Sequence, residues 1–139
     1  MPDHDATNEL TDRVRDAAAR SEPLRIVGGD TKRFLGREAD GTPLQTATHR
    51  GIVSYEPAEL VVTARGGTPL HDVQALLAAH GQHLPFEPPA FGAEATIGGA
   101  VAAGLAGPAR VARGPLRDFV LALDCSPATA GCSGSAARS

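Results

Sequence analysis

The residues best suited to chemistry in this chain are two runs of small residues. The first, Gly28-Gly29-Asp30-Thr31-Lys32, follows an apolar stretch ending at Val27. Consecutive glycines let successive backbone N–H groups turn toward one point as an anion-binding nest, and Thr31 and Lys32 add a hydroxyl and a positive charge. An ordinary turn has the same composition. The spacing is not that of a Walker A loop, which needs a longer Gly-x4-Gly-Lys-Ser/Thr frame. The second run, Thr96-Ile97-Gly98-Gly99, comes after Pro88-Pro89 and leads into further small residues. Missing side chains there let a flat or extended ligand lie against the backbone, or let a small-residue helix pack tightly on a neighbour. For this run alone, packing is the better reading. It lacks the Gly-x-Gly-x-x-Gly spacing of a dinucleotide fingerprint, and no strand stands immediately before it. Two such loops in one short chain favour a shared phosphate-bearing ligand.

Other chemistries find less support. His71 and His80 lie nine positions apart on one predicted helix, and His80 and His83 straddle Gly81, so neither pair has metal-ligand spacing. His71, beside Asp72, is expected to face solvent. No Gly-x-Ser-x-Gly or Cys–His arrangement suggests a nucleophilic hydrolase. Asp118, after Gly114 and Arg117, reads as a strand-edge or capping acid. Cys125 and Cys132 form neither a zinc pair nor a disulfide framework and read as reduced thiols.

The elements that must position these loops follow from periodicity. Leu10, Val14 and Ala17/Ala18 give one apolar face to a helix from Thr7 to Arg20, with Thr7 as its cap and Pro23 beyond its end. Leu24 to Val27 reads as a strand, and residues 33–48 as a polar, turn-rich stretch. Gly51 to Tyr55 and Leu60 to Ala64 are β-branched runs expected to be strands. Thr68 and Pro69 suit the cap and first residue of a helix reaching His80, with Leu70, Val73, Leu76 and Leu77 on one side and Gly81 as the stop. Asp118 to Leu123 reads as one more strand. This order predicts an α+β or α/β unit.

Composition sets the outer bounds. The chain has 139 residues, room for one small domain or a piece of a larger one. With 42% hydrophobic and 21% charged residues it suits a globular chain, but aromatics are only 4%, so Ala, Val, Leu and Ile must fill the core. A net charge of −3 argues against a general nucleic-acid or anionic-membrane binder. The stretch Ile97 to Gly107 is too short and glycine-rich to span a bilayer, and the acidic start does not read as a signal peptide. The expected compartment is the cytoplasm.

Segments in order carry a family resemblance: Leu24 to Lys32, Val53 to Gly81, Leu84 to Pro89 and the overlapping run Glu87-Pro88-Pro89-Ala90-Phe91-Gly92, Thr96 to Gly99, and Gly114 to Leu121. Together they resemble the FAD-binding subunit of bacterial glycolate oxidase, within the p-cresol methylhydroxylase/vanillyl-alcohol oxidase (PCMH/VAO) flavoprotein fold. The resemblance implies an α+β chain made of the N-terminal lobe and part of the second lobe of such an FAD-binding domain, over residues 1–121. It implies noncovalent FAD, with the pyrophosphate met by the backbone of Gly28, Gly29, Asp30, Thr31 and Lys32. It places Thr96, Ile97, Gly98 and Gly99 close to the flavin and its phosphates, and Pro88, Gly114 and Asp118 nearby. In the full family enzyme the flavin accepts a hydride from a 2-hydroxy acid, and no catalytic residue is carried over to this chain.

Further subunits, a second flavin subunit and an iron–sulfur subunit, are the implied partners, with a cytoplasmic location peripheral to the inner membrane through them. After Leu121 the sequence Ala122-Leu123-Asp124-Cys125-Ser126-Pro127 departs from the family, as a truncated reading frame would. Residues 122–139 are therefore expected to be a divergent, disordered tail. The corresponding expectation is weak FAD binding and no activity of the isolated chain. The alternative is a remnant that docks on sister subunits without flavin activity; a third reading is a phosphate-binding module unrelated to flavin.

Overall fold

The computed structural model describes residues 3–125. Its elements run α1 (Thr7–Ala19), β1 (Leu24–Val27), β2 (Thr42–Gln45), β3 (Ile52–Glu56), β4 (Val61–Ala64), α2 (Leu70–Ala79), α3 (Ile97–Ala103), α4 (Arg110–Arg113) and a 3₁₀ turn (Leu116–Phe119). This is the α+β mixture expected. The expected tail lies outside the described residues from residue 126 onward.

α1 is capped one residue earlier than expected. Ala6 is the N-cap, and Thr7 already belongs to the first turn. The capping work falls to Asp5, whose Oδ1 accepts from the Thr7 amide at 3.0 Å and the Thr7 hydroxyl at 2.6 Å, while Oδ2 accepts from Arg65 at 3.3 Å. These donors hold the Asp5 carboxyl down at about 2, with the Thr7 hydroxyl the largest cause. The helix closes in a Schellman pattern: Ser21 sits at φ 53, its amide reaches the Ala18 carbonyl, and the Glu22 amide reaches that of Ala17. α2 closes in the same way at Gly81, with φ 68. Gln82 then ties this end to the neighbouring hairpin, accepting from Tyr55 Oη at 2.7 Å and donating to the Pro57 carbonyl at 2.9 Å.

The four strands form two separate pairs. β1 and β2 are parallel, Leu24 opposite Thr42 and Val27 opposite Gln45. β3 and β4 form an antiparallel hairpin with a register irregularity between Ile52 and Ser54. β2 went unseen in the sequence because Thr42-Pro43-Leu44-Gln45 has a proline and a single buried residue, Leu44. Pro43 is tolerated at such an edge, where no ladder N–H is required. The connection between β1 and β2, residues 28–41, contains no helix, so no βαβ crossover forms here.

α2 buries Leu70, Val73 and Leu77 as its periodicity predicts. Its start differs from expectation. Pro69 has φ −56 and ψ 136 and stays outside the helix as N-cap. Thr68 does not cap it: the buried hydroxyl accepts from the Gly51 amide at 3.0 Å and donates toward the Arg65 carbonyl at 2.6 Å. The backbone around it pairs with the start of α3, through Leu70 N to Ala95 O (2.7 Å), Ile97 N to Thr68 O (2.9 Å) and Gly98 N to Gly66 O (2.8 Å). At Gly98 the two chains touch so closely that a Cβ would lie 2.6 Å from the Gly66 carbonyl oxygen. A second small core joins Phe86, Ala106 and Leu116, flanked by Leu84, Val101, Phe119 and Val120.

The strand expected over Asp118 to Leu123 is absent. Leu116–Phe119 turns as a 3₁₀ segment instead, because Pro115 sets up a turn and no described strand offers a ladder to residues 120–123.

Two outcomes follow. Gly98→Ala should lower stability by about 1–3 kcal/mol through overpacking against backbone that cannot rotate away, as read by urea unfolding. Because Asp5 titrates lower in the folded chain than in the unfolded one, its contribution is present above its ordinary value of 3.8 and is lost as pH falls toward about 2. Asp5→Asn should therefore flatten the acid limb of a Tm-against-pH curve in that window while lowering Tm at neutral pH.

Candidate cofactor cleft

β1 delivers the chain into the first glycine-rich loop, and α3 starts directly opposite. A cleft of about 250 Å³ lies between them, lined by Gly28 to Lys32 from the loop, Thr96 and Gly99 from the start of α3, and Arg25, Leu35 and Arg37 among others. The structure thus joins the two small-residue runs that the sequence holds 68 positions apart, counted from Gly28 to Thr96.

The glycines make that meeting possible. A Cβ at Gly28 would lie 2.8 Å from Thr96 Oγ1, and one at Gly29 would overlap the Glu94 carbonyl. Their bare backbone is therefore used against protein, holding the loop on the segment before α3. The ligand-facing property of the loop is different: among the described residues, no amide from Gly28 to Lys32 donates a backbone hydrogen bond. Asp30 stands at φ 54, the left-handed conformation that reverses the direction of successive N–H groups. Peptide N–H groups left open in a cleft call for an acceptor.

Charge in the cleft points the same way. Four cations, Arg25, Lys32, Arg33 and Arg37, line it against two carboxylates, Asp30 and Glu38. Both carboxylates are engaged, Asp30 with Arg25 at 3.8 Å and Glu38 with Arg33 at 3.1 Å. Lys32 forms no ion pair among the described residues, and partial burial pushes its ammonium below the ordinary lysine range. A desolvated cation without a counter-charge is stabilised by an incoming anion. The fit to a dinucleotide pyrophosphate is good on these grounds: open N–H donors, one uncompensated ammonium and the Thr31 hydroxyl share one small cleft.

The other predicted positions behave differently. In the Thr96–Gly99 run the amides of three residues are already used: Ile97 by Thr68, Gly98 by Gly66, and Gly99 by the Thr96 hydroxyl at 3.1 Å. Thr96, only 4% exposed, is the N-cap of α3, so this run offers the cleft its shape and the Thr96 hydroxyl proton rather than a set of N–H donors. Ile97 and Gly98 face the 66–68 backbone and do not line the cleft. Pro88 is buried beside Glu87, whose carboxylate accepts from the Ala109 amide at 3.2 Å. Gly114, at φ 98, and Asp118 come together, Asp118 Oδ2 lying 3.0 Å from a would-be Gly114 Cβ, but neither lines the cleft. They adjoin a second hollow of about 560 Å³ lined by Val101, Arg110, Leu116, Arg117 and Val120.

Arg25 and Arg37 are cleft residues that sequence reasoning missed. The available signal was the density of basic residues, Arg25, Lys32, Arg33 and Arg37, around the glycine pair. His71 is exposed and pairs with Asp72 at 3.0 Å, as its position suggested. No group of His, Cys, Asp and Glu among the described residues could hold a metal ion. Among those residues, no helix is long and apolar enough to cross a membrane.

Comparison with known proteins supplies the family. The model of the FAD binding domain family matches residues 5–130. The chain is 52% identical over 117 residues to the glycolate oxidase subunit GlcE of Escherichia coli (strain K12), a match covering 84% of this chain and 33% of that protein. It thus spans about a third of the length of the curated relative it matches. No solved structure matches it significantly. With that family matched over most of its length, the chain belongs to the FAD-binding domain family, and FAD is its cofactor.

Proposed function

We propose that this chain supplies the pyrophosphate-holding part of the flavin site in a 2-hydroxy-acid-oxidising, glycolate oxidase-like flavoprotein subunit. The observation that carries the reading is Lys32: a partly buried ammonium with no carboxylate partner among the described residues, beside open backbone amides, in a chain 52% identical to a glycolate oxidase subunit. FAD, when bound, supplies an acceptor for the hydride released from the α-carbon of the substrate.

The chain's own residues bind and orient. The amides of Gly28 to Lys32 and the Lys32 ammonium hold the pyrophosphate. Thr96 fixes the opposite wall, its hydroxyl being locked to Gly99 and pressed on Gly28. Arg25 neutralises Asp30, which otherwise would repel a phosphate at the same loop. Gly114, Asp118 and Pro88 act in this reading by shaping the second hollow and the segment beside it, within an FAD-binding portion over residues 1–121. The relative's description as a subunit supports assembly with other subunits; that these are a second flavin subunit and an iron–sulfur subunit, in the cytoplasm and at the inner membrane through them, belongs to the same proposal.

The cleft is smaller than the roughly 300–1,000 Å³ of sites that enclose a whole ligand. FAD should therefore bind the 139-residue chain reversibly and be lost on gel filtration, yet be measurable by equilibrium dialysis or fluorescence quenching. Lys32→Met should weaken that binding by about ten- to hundredfold, the loss of one charge-assisted contact, with Lys32→Arg recovering part of it. Equal FAD affinity in wild type and Lys32→Met would overturn the assignment of the pyrophosphate to this loop. A chain that takes up no FAD even at saturating concentration, but co-purifies with sister subunits, would support the docking alternative.

A further inference from the structure

Phe34 and Phe91 are exposed aromatic rings, 63% and 54% accessible, in a chain that has few aromatics to spare. Their centroids lie 5.0 Å apart at 84°, an edge-to-face pair. This geometry uses only one ring face, so the remaining π surfaces are open to solvent.

Both rings stand at the edge of the Gly28–Lys32 cleft. Phe34 is the chain neighbour of Arg33 and Leu35, two of its lining residues. Phe91 precedes Gly92, where a Cβ would lie 3.1 Å from Thr31 Cγ2. Phe91 moreover adopts φ 55, a conformation that a bulky residue takes at an energetic cost. Nothing in the hydrophobic cores compensates that cost, since the ring is largely outside them. The cleft itself has room for the phosphates and little more, so the rings of a dinucleotide seated there must extend over its rim.

We propose that Phe34 and Phe91 form a stacking platform that holds one heteroaromatic ring of the bound dinucleotide. The proposal rests on the assignment of the pyrophosphate to the adjacent loop. A flat ring laid on the open face of either phenyl covers apolar surface that is otherwise wet, and such stacking tolerates any π system. The shared chemistry is the flat heteroaromatic ring; adenine and isoalloxazine are its two sources.

The test uses the full chain, Phe34→Ala and Phe91→Gly, with inorganic pyrophosphate, ADP, FMN and FAD as separate probes in calorimetry. Glycine accepts the left-handed backbone at position 91, so that variant keeps the fold while removing a ring; circular dichroism checks both. The expected result is FAD binding weakened about tenfold in each variant with pyrophosphate binding unchanged. A parallel loss for ADP identifies adenine as the stacked ring, and a parallel loss for FMN identifies isoalloxazine. Unchanged FAD affinity in both variants, or an equal loss for pyrophosphate and FAD, would overturn the platform. Wild-type chain that binds neither pyrophosphate nor FAD would remove the cleft assignment and the platform with it. Wild-type binding of pyrophosphate with unaltered FAD affinity in the variants removes the platform alone.

Discussion

The contact on which the rest depends is the pairing of the 66–70 backbone with the 95–98 backbone. Three amide-to-carbonyl bonds cross it, at Leu70, Ile97 and Gly98. It fixes where α3 begins, and therefore where Thr96 stands. Thr96 in turn presses on Gly28, so the position of the Gly28–Lys32 loop is inherited from this pairing. A protein rich in large side chains could set such a distance by packing. This one has few, and sets it by letting main chain approach main chain, which only glycine at positions such as 98 permits.

The two halves of the cleft divide their work. The loop from Gly28 to Lys32 contributes open N–H donors and a charge, while the Thr96–Gly99 run has spent its amides on holding itself in place. In the proposed site, one wall recognises and the other supports. The electrostatic arrangement follows the same logic, because the acids in the cleft are paired with Arg25 and Arg33, leaving Lys32 as the cation with partial burial and no partner among the described residues. Partial burial disfavours that charged ammonium, so in the proposed site an arriving anion would relieve the cost.

Much of the secondary structure was legible because it repeats at fixed periods. α1, α2 and the β3–β4 hairpin announce themselves through apolar spacing and β-branched runs. β2 did not, since Pro43 interrupts it and one buried residue, Leu44, makes no pattern. The helix starts were misread where a hydroxyl had a better acceptor elsewhere: Thr68 serves Gly51 and Arg65, and Asp5 caps for Thr7. The 118–123 segment has the composition of a strand, but composition does not provide a partner strand.

For the site, residue types along the chain singled out both glycine-rich runs, while the family entered through the resemblance of several segments in order. Glycine, hydroxyl and lysine in succession are compatible with a phosphate-bearing ligand and equally with an ordinary turn, so the sequence left that choice open. Only the tertiary structure decided which amides remain open, which acids are already neutralised, and that Arg25 and Arg37 join the loop while Gly114 and Asp118 stand apart from it. The physical reason is that hydrogen-bond satisfaction and charge pairing depend on distance in space. Residues far apart in the chain compete for the same donors, and the outcome exists only once the backbone has brought them together.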